Sequence, residues 1–190
     1  MKGLILNFNF CRKLLLYSLC AFFFSYYYFL HTWEYPPGSL ENIANYEANK
    51  VFQTRILIPF ASKTFAELLP ISNTTLSNLH LPVGSSLKFY CFIFIFLSSL
   101  FLLLGFNKFL DFHSGLEYKS ELLTVFTLFA PLFWNYAFLN NLFYAYDIPS
   151  MAFFIWGIYF FNAKRYFFFY ILFFFANLNR ESSCFITLGI

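Results

Sequence analysis

Chemistry needs ionisable groups, and this chain has few of them: 12 Lys and Arg and 9 Asp and Glu in 190 residues. Charged residues make up 11% of it, against about 25% in an ordinary soluble domain. Those set in or against apolar runs are the candidates. Asp147 lies in Tyr144-Ala145-Tyr146-Asp147-Ile148-Pro149. Its carboxylate could cap the first amides of a helix and favour its positive end, or it could be a catalytic residue that binds a cation or positions a substrate hydroxyl. Arg180 and Glu181 interrupt an apolar run, and an ionisable residue at membrane depth is by default a functional candidate. They could pair with each other, or Arg180 could pair with Asp147. Alternatively Arg180 and Glu181 bind substrate, the guanidinium forking onto a lipid phosphate. Glu34 follows the first apolar run by four residues, the height at which a base for a membrane-bound acceptor belongs. Arg55 sits in the apolar stretch Phe52-Gln53-Thr54-Arg55-Ile56-Leu57-Ile58-Pro59, as a substrate contact or as a side chain snorkelling to headgroups. Glu41 and Glu47 read as solvated surface charges.

Other chemistries have no residues to carry them. The sequence holds no GxxxxGK[ST], GxGxxG, GxSxG or HExxH motif, so nucleotide binding, the nucleophile-elbow hydrolase site and the zinc-protease site find no support. His31, His80 and His113 are far apart and form no metal pattern. No cofactor is identified, and a divalent cation is the one left open. Cys11, Cys20, Cys91 and Cys184 form no CxxC pair and read as small apolar packing residues. The triplet Asn73-Thr74-Thr75 matches a glycosylation sequon, a motif common by chance.

The elements that must position these residues are dictated by composition. Phe contributes 33 residues, aromatics make up 26%, and mean hydropathy is +0.63. A soluble fold of this size would still expose roughly a third of its unfolded surface and could not hide so much apolar area. That excludes a soluble enzyme, a disordered chain and a nucleic-acid binder, and makes the lipid bilayer the first partner. The fold expected is all-α: one integral membrane domain over 1–190, a polytopic bundle of about five spans at 14–32, 89–106, 122–139, 142–161 and 166–182. The first is preceded by Lys2, Arg12 and Lys13 and followed by no cleavage-like site, so it reads as an uncleaved span and not a signal peptide.

Orientation follows from the short connections. Lys108 and Lys119 lie in the 107–121 loop and Lys164 and Arg165 in the 162–165 turn, whereas 140–147 has no Lys or Arg. The positive-inside rule then puts the N-terminus in the cytoplasm. Glu34, Arg55, Asp147 and the Asn179-Arg180-Glu181 interruption fall together on the opposite side. There the long loop 31–88 is expected to carry short interfacial helices. One is capped by Ser39 and runs through Glu41 to Lys50. A second has Pro59 in its first turn, with Ala61, Phe65, Leu68 and Leu69 on one face and Lys63 and Glu67 on the other. After Pro70, the stretch ISNTTLSNLHLPVGSS reads as a polar, turn-rich connector.

An N-terminal span, a long outer loop with an acid close behind it and an amphipathic interfacial helix resemble the start of a GT-C-type glycosyltransferase. Gln53-Thr54-Arg55-x-Leu57-x-Pro59, Tyr146-Asp147-x-Pro149 and Asn179-Arg180-Glu181-Ser182 are similar to motifs of bacterial polytopic membrane proteins grouped near that superfamily. The resemblance implies transfer of a sugar from a polyprenyl-phosphate donor on the extracytoplasmic face of the bacterial inner membrane. Glu34 would match the acidic residue of the family's first loop, and Arg180 a contact to the donor phosphate. Family members have about twice as many spans, so the chain reads as the N-terminal part of a longer protein or a decayed copy. A non-enzymatic membrane subunit, with protein partners unidentified, and a small transporter component are the alternatives.

Overall fold

The computed structural model describes residues 2–50, 52–114, 124, 125, 128–130 and 142–180. Seven α-helices have their bounds among the described residues, besides a 3-10 turn at Pro36–Gly38. They are α1 (Lys2–His31), α2 (Leu40–Ala44), α3 (Leu57–Leu68), α4 (Asn73–Asn78), α5 (Ser86–Ser114), α6 (Asp147–Asn162) and α7 (Tyr166–Asn179). Two strands of two residues each, β1 (Trp33–Glu34) and β2 (Leu142–Phe143), pair in parallel, Trp33 with Leu142 and Glu34 with Phe143.

Among the described residues two helices are long and apolar enough to cross a membrane, over Phe10–His31 and Ser86–Phe112. The expectation of five spans is therefore met in part. The third expected span, 122–139, lies mostly outside the described residues. The fourth was placed at 142–161, but Leu142 and Phe143 are taken up by β2 and a turn follows, so the helix begins only at Asp147. The fifth was placed at 166–182, but α7 ends at Asn179, where Arg180 turns to extended backbone at φ −159°. At 16 and 14 residues, α6 and α7 extend about 24 and 21 Å, short of a hydrocarbon core of about 30 Å.

The core is made by stripes at helical spacing. Tyr17, Ala21, Phe24 and Tyr28 on α1 are buried against Cys91, Ile95, Leu102 and Leu103 on α5, with Ile148 and Ala152 of α6 behind them. Tyr17 donates a buried hydrogen bond to Asn107 at 3.0 Å, while Phe29 meets Phe92 edge-on. The start of α1 thus lies by the end of α5, and the two run antiparallel. Helix α6 runs parallel to α5: Trp156 stacks on Phe101 and Tyr159 meets Phe112. Its partner α7 returns antiparallel, with Phe169 against Phe161 and Asn179 bonded to Ser150.

These directions bring the end of α1, the starts of α5 and α6 and the end of α7 to one end of the bundle. Arg12, Lys13, Lys108, Lys164 and Arg165 belong to the other. The 31–88 segment is built as packed structure. Ser39 caps α2 by accepting from the Asn42 amide at 3.2 Å, as expected. However, α2 stops at Ala44 instead of Lys50, because Tyr46 adopts φ +61° and the Asn42 carbonyl takes the amides of Glu47 and Ala48. The expected connector after Pro70 contains α4, capped by Ser72 through the Thr75 amide at 3.2 Å.

Helix α3 has the two-faced character read from its sequence. It buries Ile58, Pro59 and Ser62 and leaves Phe60, Phe65, Leu68 and Leu69 exposed. Lys63 and Glu67 form an i,i+4 pair at 4.0 Å. Tyr90 of α5 anchors its end by donating to the Leu69 carbonyl at 2.7 Å.

Candidate functional site

Three of the residues singled out in the sequence, Arg55, Asp147 and Arg180, gather at one end of the bundle around Tyr146, a side chain given no role of its own above. It is 2% exposed and precedes α6. Arg55 donates a hydrogen bond from Nη1 to the Tyr146 hydroxyl, and its guanidinium lies over the Tyr146 ring, 4.6 Å from the centroid. The Arg180 guanidinium lies 5.7 Å from the same centroid. Two cations from segments far apart in sequence therefore share one aromatic ring, an attraction that strengthens when the site is shielded from water.

Local structure explains why each cation is there. Arg55 precedes α3, and its guanidinium also covers the Phe52 ring at 5.2 Å. Phe52 stacks on Tyr144, which stacks on Tyr146. Gly38 makes room for this stack, since a Cβ there would come within 2.9 Å of the Phe52 ring. Arg180 is placed by the residue before it. Asn179 is fully buried and donates from Nδ2 to the Tyr146 carbonyl and the Ser150 hydroxyl, both at 2.8 Å. The end of α7 is thereby stitched to the start of α6.

Asp147 is the first residue of α6, where a carboxylate favours the positive helix end. It meets Arg180 Nη1 at 3.5 Å, both side chains being 38% exposed. The pairing of Arg180 with Asp147, one of the alternatives left open by sequence, is thus present, whereas the capping alternative is not. The residue at the cap is Tyr146, with no side-chain bond to the helix amides. Among the described residues, Arg180 Nε is buried with no hydrogen-bond partner, as is Asn179 Oδ1. Glu181 lies outside the described residues.

Glu34 sits at the same end but in a neighbouring cleft. The β1–β2 pairing holds it beside the segment leading to Tyr144. One carboxylate oxygen meets Lys88 at 2.9 Å and the other accepts the Leu40 amide at 3.0 Å. Lys88 was not among the residues singled out in the sequence, although a cation at the mouth of the apolar run from Phe89 is a signal legible there. The cleft has a volume of about 450 Å³ and is lined by Phe29, Thr32, Glu34, Pro36, Glu41, Pro82 and Lys88. Among the described residues no group of three or more His, Cys, Asp or Glu side chains is arranged to hold a metal ion.

The arrangement offers two separate capabilities: a cationic aromatic cradle suited to an anionic group, and a mixed apolar and charged cleft beside it. Comparison with protein-family models, with curated proteins and with solved structures returned no match.

Proposed function

We propose that this chain is a membrane-embedded, GT-C-like glycosyltransferase component that handles a polyprenyl-phosphate-linked sugar on the extracytoplasmic face of a bacterial inner membrane. In this reading the N-terminus is cytoplasmic and α6, α7 and the 122–139 segment join α1 and α5 in a five-span bundle. The observation that carries it is the cradle: Arg55 and Arg180 on one Tyr146 ring, with Asp147 against Arg180. Guanidinium groups bind phosphate oxygens through paired N–H donors. The exposed apolar residues of α3 beside Arg55, and Ile171 and Phe174 of α7 before Arg180, offer a surface for an acyl or prenyl tail.

The test is binding of a polyprenyl monophosphate to the full chain in nanodiscs, followed by transfer of labelled sugar from its glycosylated form. Replacing both Arg55 and Arg180 by Gln should weaken binding by about tenfold or more, charge-assisted hydrogen bonds being roughly twice as strong as neutral ones. Binding unchanged in the double variant would overturn the reading.

The Asp147–Arg180 contact favours a second reading, a non-enzymatic membrane subunit in which the pair only joins α6 to α7. It predicts no affinity for the lipid phosphate and restoration of stability when the two charges are exchanged.

A further inference from the structure

The cleft next to the cationic cradle contains two carboxylates, and the structure separates their roles. Glu34 has both oxygens engaged, one on the Lys88 ammonium at 2.9 Å and one on the Leu40 amide at 3.0 Å. A carboxylate so held has little capacity left for a ligand, since taking a new partner means giving up a charge-assisted bond. Glu41 lines the same cleft, is exposed, and makes no side-chain hydrogen bond or ion pair among the described residues. It stands on α2, whose start is fixed by Ser39 accepting from the Asn42 amide and by Glu34 accepting from the Leu40 amide. Thr32 is already committed to the Tyr28 carbonyl.

The walls are mixed in a particular way. Phe29, Pro36 and Pro82 are rigid and apolar, while Glu41 and Lys88 offer an acceptor and a donor. A ligand matching them has C–H faces and O–H edges on one ring. We propose that the cleft takes a saccharide, that Glu41 is the carboxylate accepting from its hydroxyl, and that Glu34 is a positioning residue that fixes Lys88 and α2. The class of ligand rests on the sugar-transfer reading above; the division of labour between the two carboxylates rests on their hydrogen bonds. It reverses the assignment expected from sequence, in which Glu34 acts and Glu41 is a surface charge.

The experiment is saturation-transfer NMR of the full chain in detergent micelles with three probes, the methyl glycosides of glucose, galactose and mannose. At least one should bind the unmodified chain. Glu41→Gln should weaken that binding by about tenfold or more, the scale of a charge-assisted hydrogen bond, and Glu41→Asp should recover part of it. Glu34→Gln should weaken it less, and should have little further effect once Lys88→Met is present, because the Gln amide oxygen can still accept the Leu40 amide and what the change removes is the charged contact to Lys88. Retained binding of polyprenyl monophosphate by each variant shows that the fold is intact. The proposal is overturned if Glu41→Gln binds the glycosides as the unmodified chain does, or if none of the three binds. Absence of glycoside binding with lipid phosphate still bound removes the cleft proposal alone. Glycosides bound without affinity for lipid phosphate would remove the donor reading instead.

Discussion

Gly105 and Trp156 test the packing that sets α6 against α5, and with it the place of Tyr146 and Asp147. A Cβ at Gly105 would lie 2.5, 2.6 and 2.9 Å from Nε1, Cδ1 and Cε2 of the Trp156 indole. The indole cannot easily yield. Its N–H donates to the Phe101 carbonyl at 2.8 Å and its ring stacks on Phe101 at 5.0 Å. Overpacking of this kind costs about 1–3 kcal/mol. Loss of the interhelical hydrogen bond adds about 0.6 kcal/mol if the bond lies in lipid, and disturbed stacking adds about 0.5–1.5 kcal/mol. Against these, Ala is favoured over Gly in a helix interior by about 1 kcal/mol. Gly105→Ala should therefore destabilise the chain by a net of about 1–4 kcal/mol. The assay is equilibrium unfolding in mixed micelles, with Trp156→Phe as the second arm of a double-mutant cycle. Phe lacks the indole N–H and the larger ring, so Gly105→Ala should cost much less in that background. A Gly105→Ala variant as stable as the unmodified chain, or one whose cost is the same with Phe at 156, would refute the notch-and-indole account.

Other outcomes follow from the site and the surface. Asp147→Arg or Arg180→Asp alone should destabilise the chain, and the exchanged pair should regain part of the loss; at 3.5 Å and over a third exposed, the coupling should be about 0.5–1 kcal/mol by a cycle of unfolding measurements. Leu68 is 70% exposed on α3, so Leu68→Trp should give tryptophan emission that brominated lipids quench; unquenched emission would put that face in water. In a background with Cys11, Cys20, Cys91 and Cys184 changed to Ser, Ser77→Cys should react in intact cells with a membrane-impermeant maleimide, and Arg165→Cys only after permeabilisation. The reverse pattern would invert the proposed topology.

What sequence alone determined here is what single residue types and short periods can carry. The aromatic and aliphatic mass led to the expectation of apolar helices of membrane-crossing length, and two of the described helices, over Phe10–His31 and Ser86–Phe112, are that long and that apolar. Glu34, Arg55, Asp147 and Arg180 stood out because a charge beside apolar residues is costly unless it has a use. Ser39 as a cap and Pro59 in the first turn of α3 were legible because capping and proline chemistry act within a few residues. Helix lengths were less so. Nothing in hydropathy shows that Leu142 and Phe143 pair with Trp33 and Glu34, and this pairing delays α6 to Asp147. Partnerships were decided only by the tertiary structure, since they join residues far apart in the chain: 91 positions from Arg55 to Tyr146, 33 from Asp147 to Arg180. Glu34 looked available because its neighbours in sequence are uncharged, and it is engaged because the fold delivers Lys88 and the Leu40 amide to it. Glu41 looked like ordinary surface and faces a cleft. A charge acts on what lies within a few ångströms, and in this chain those distances are set by how the helices pack.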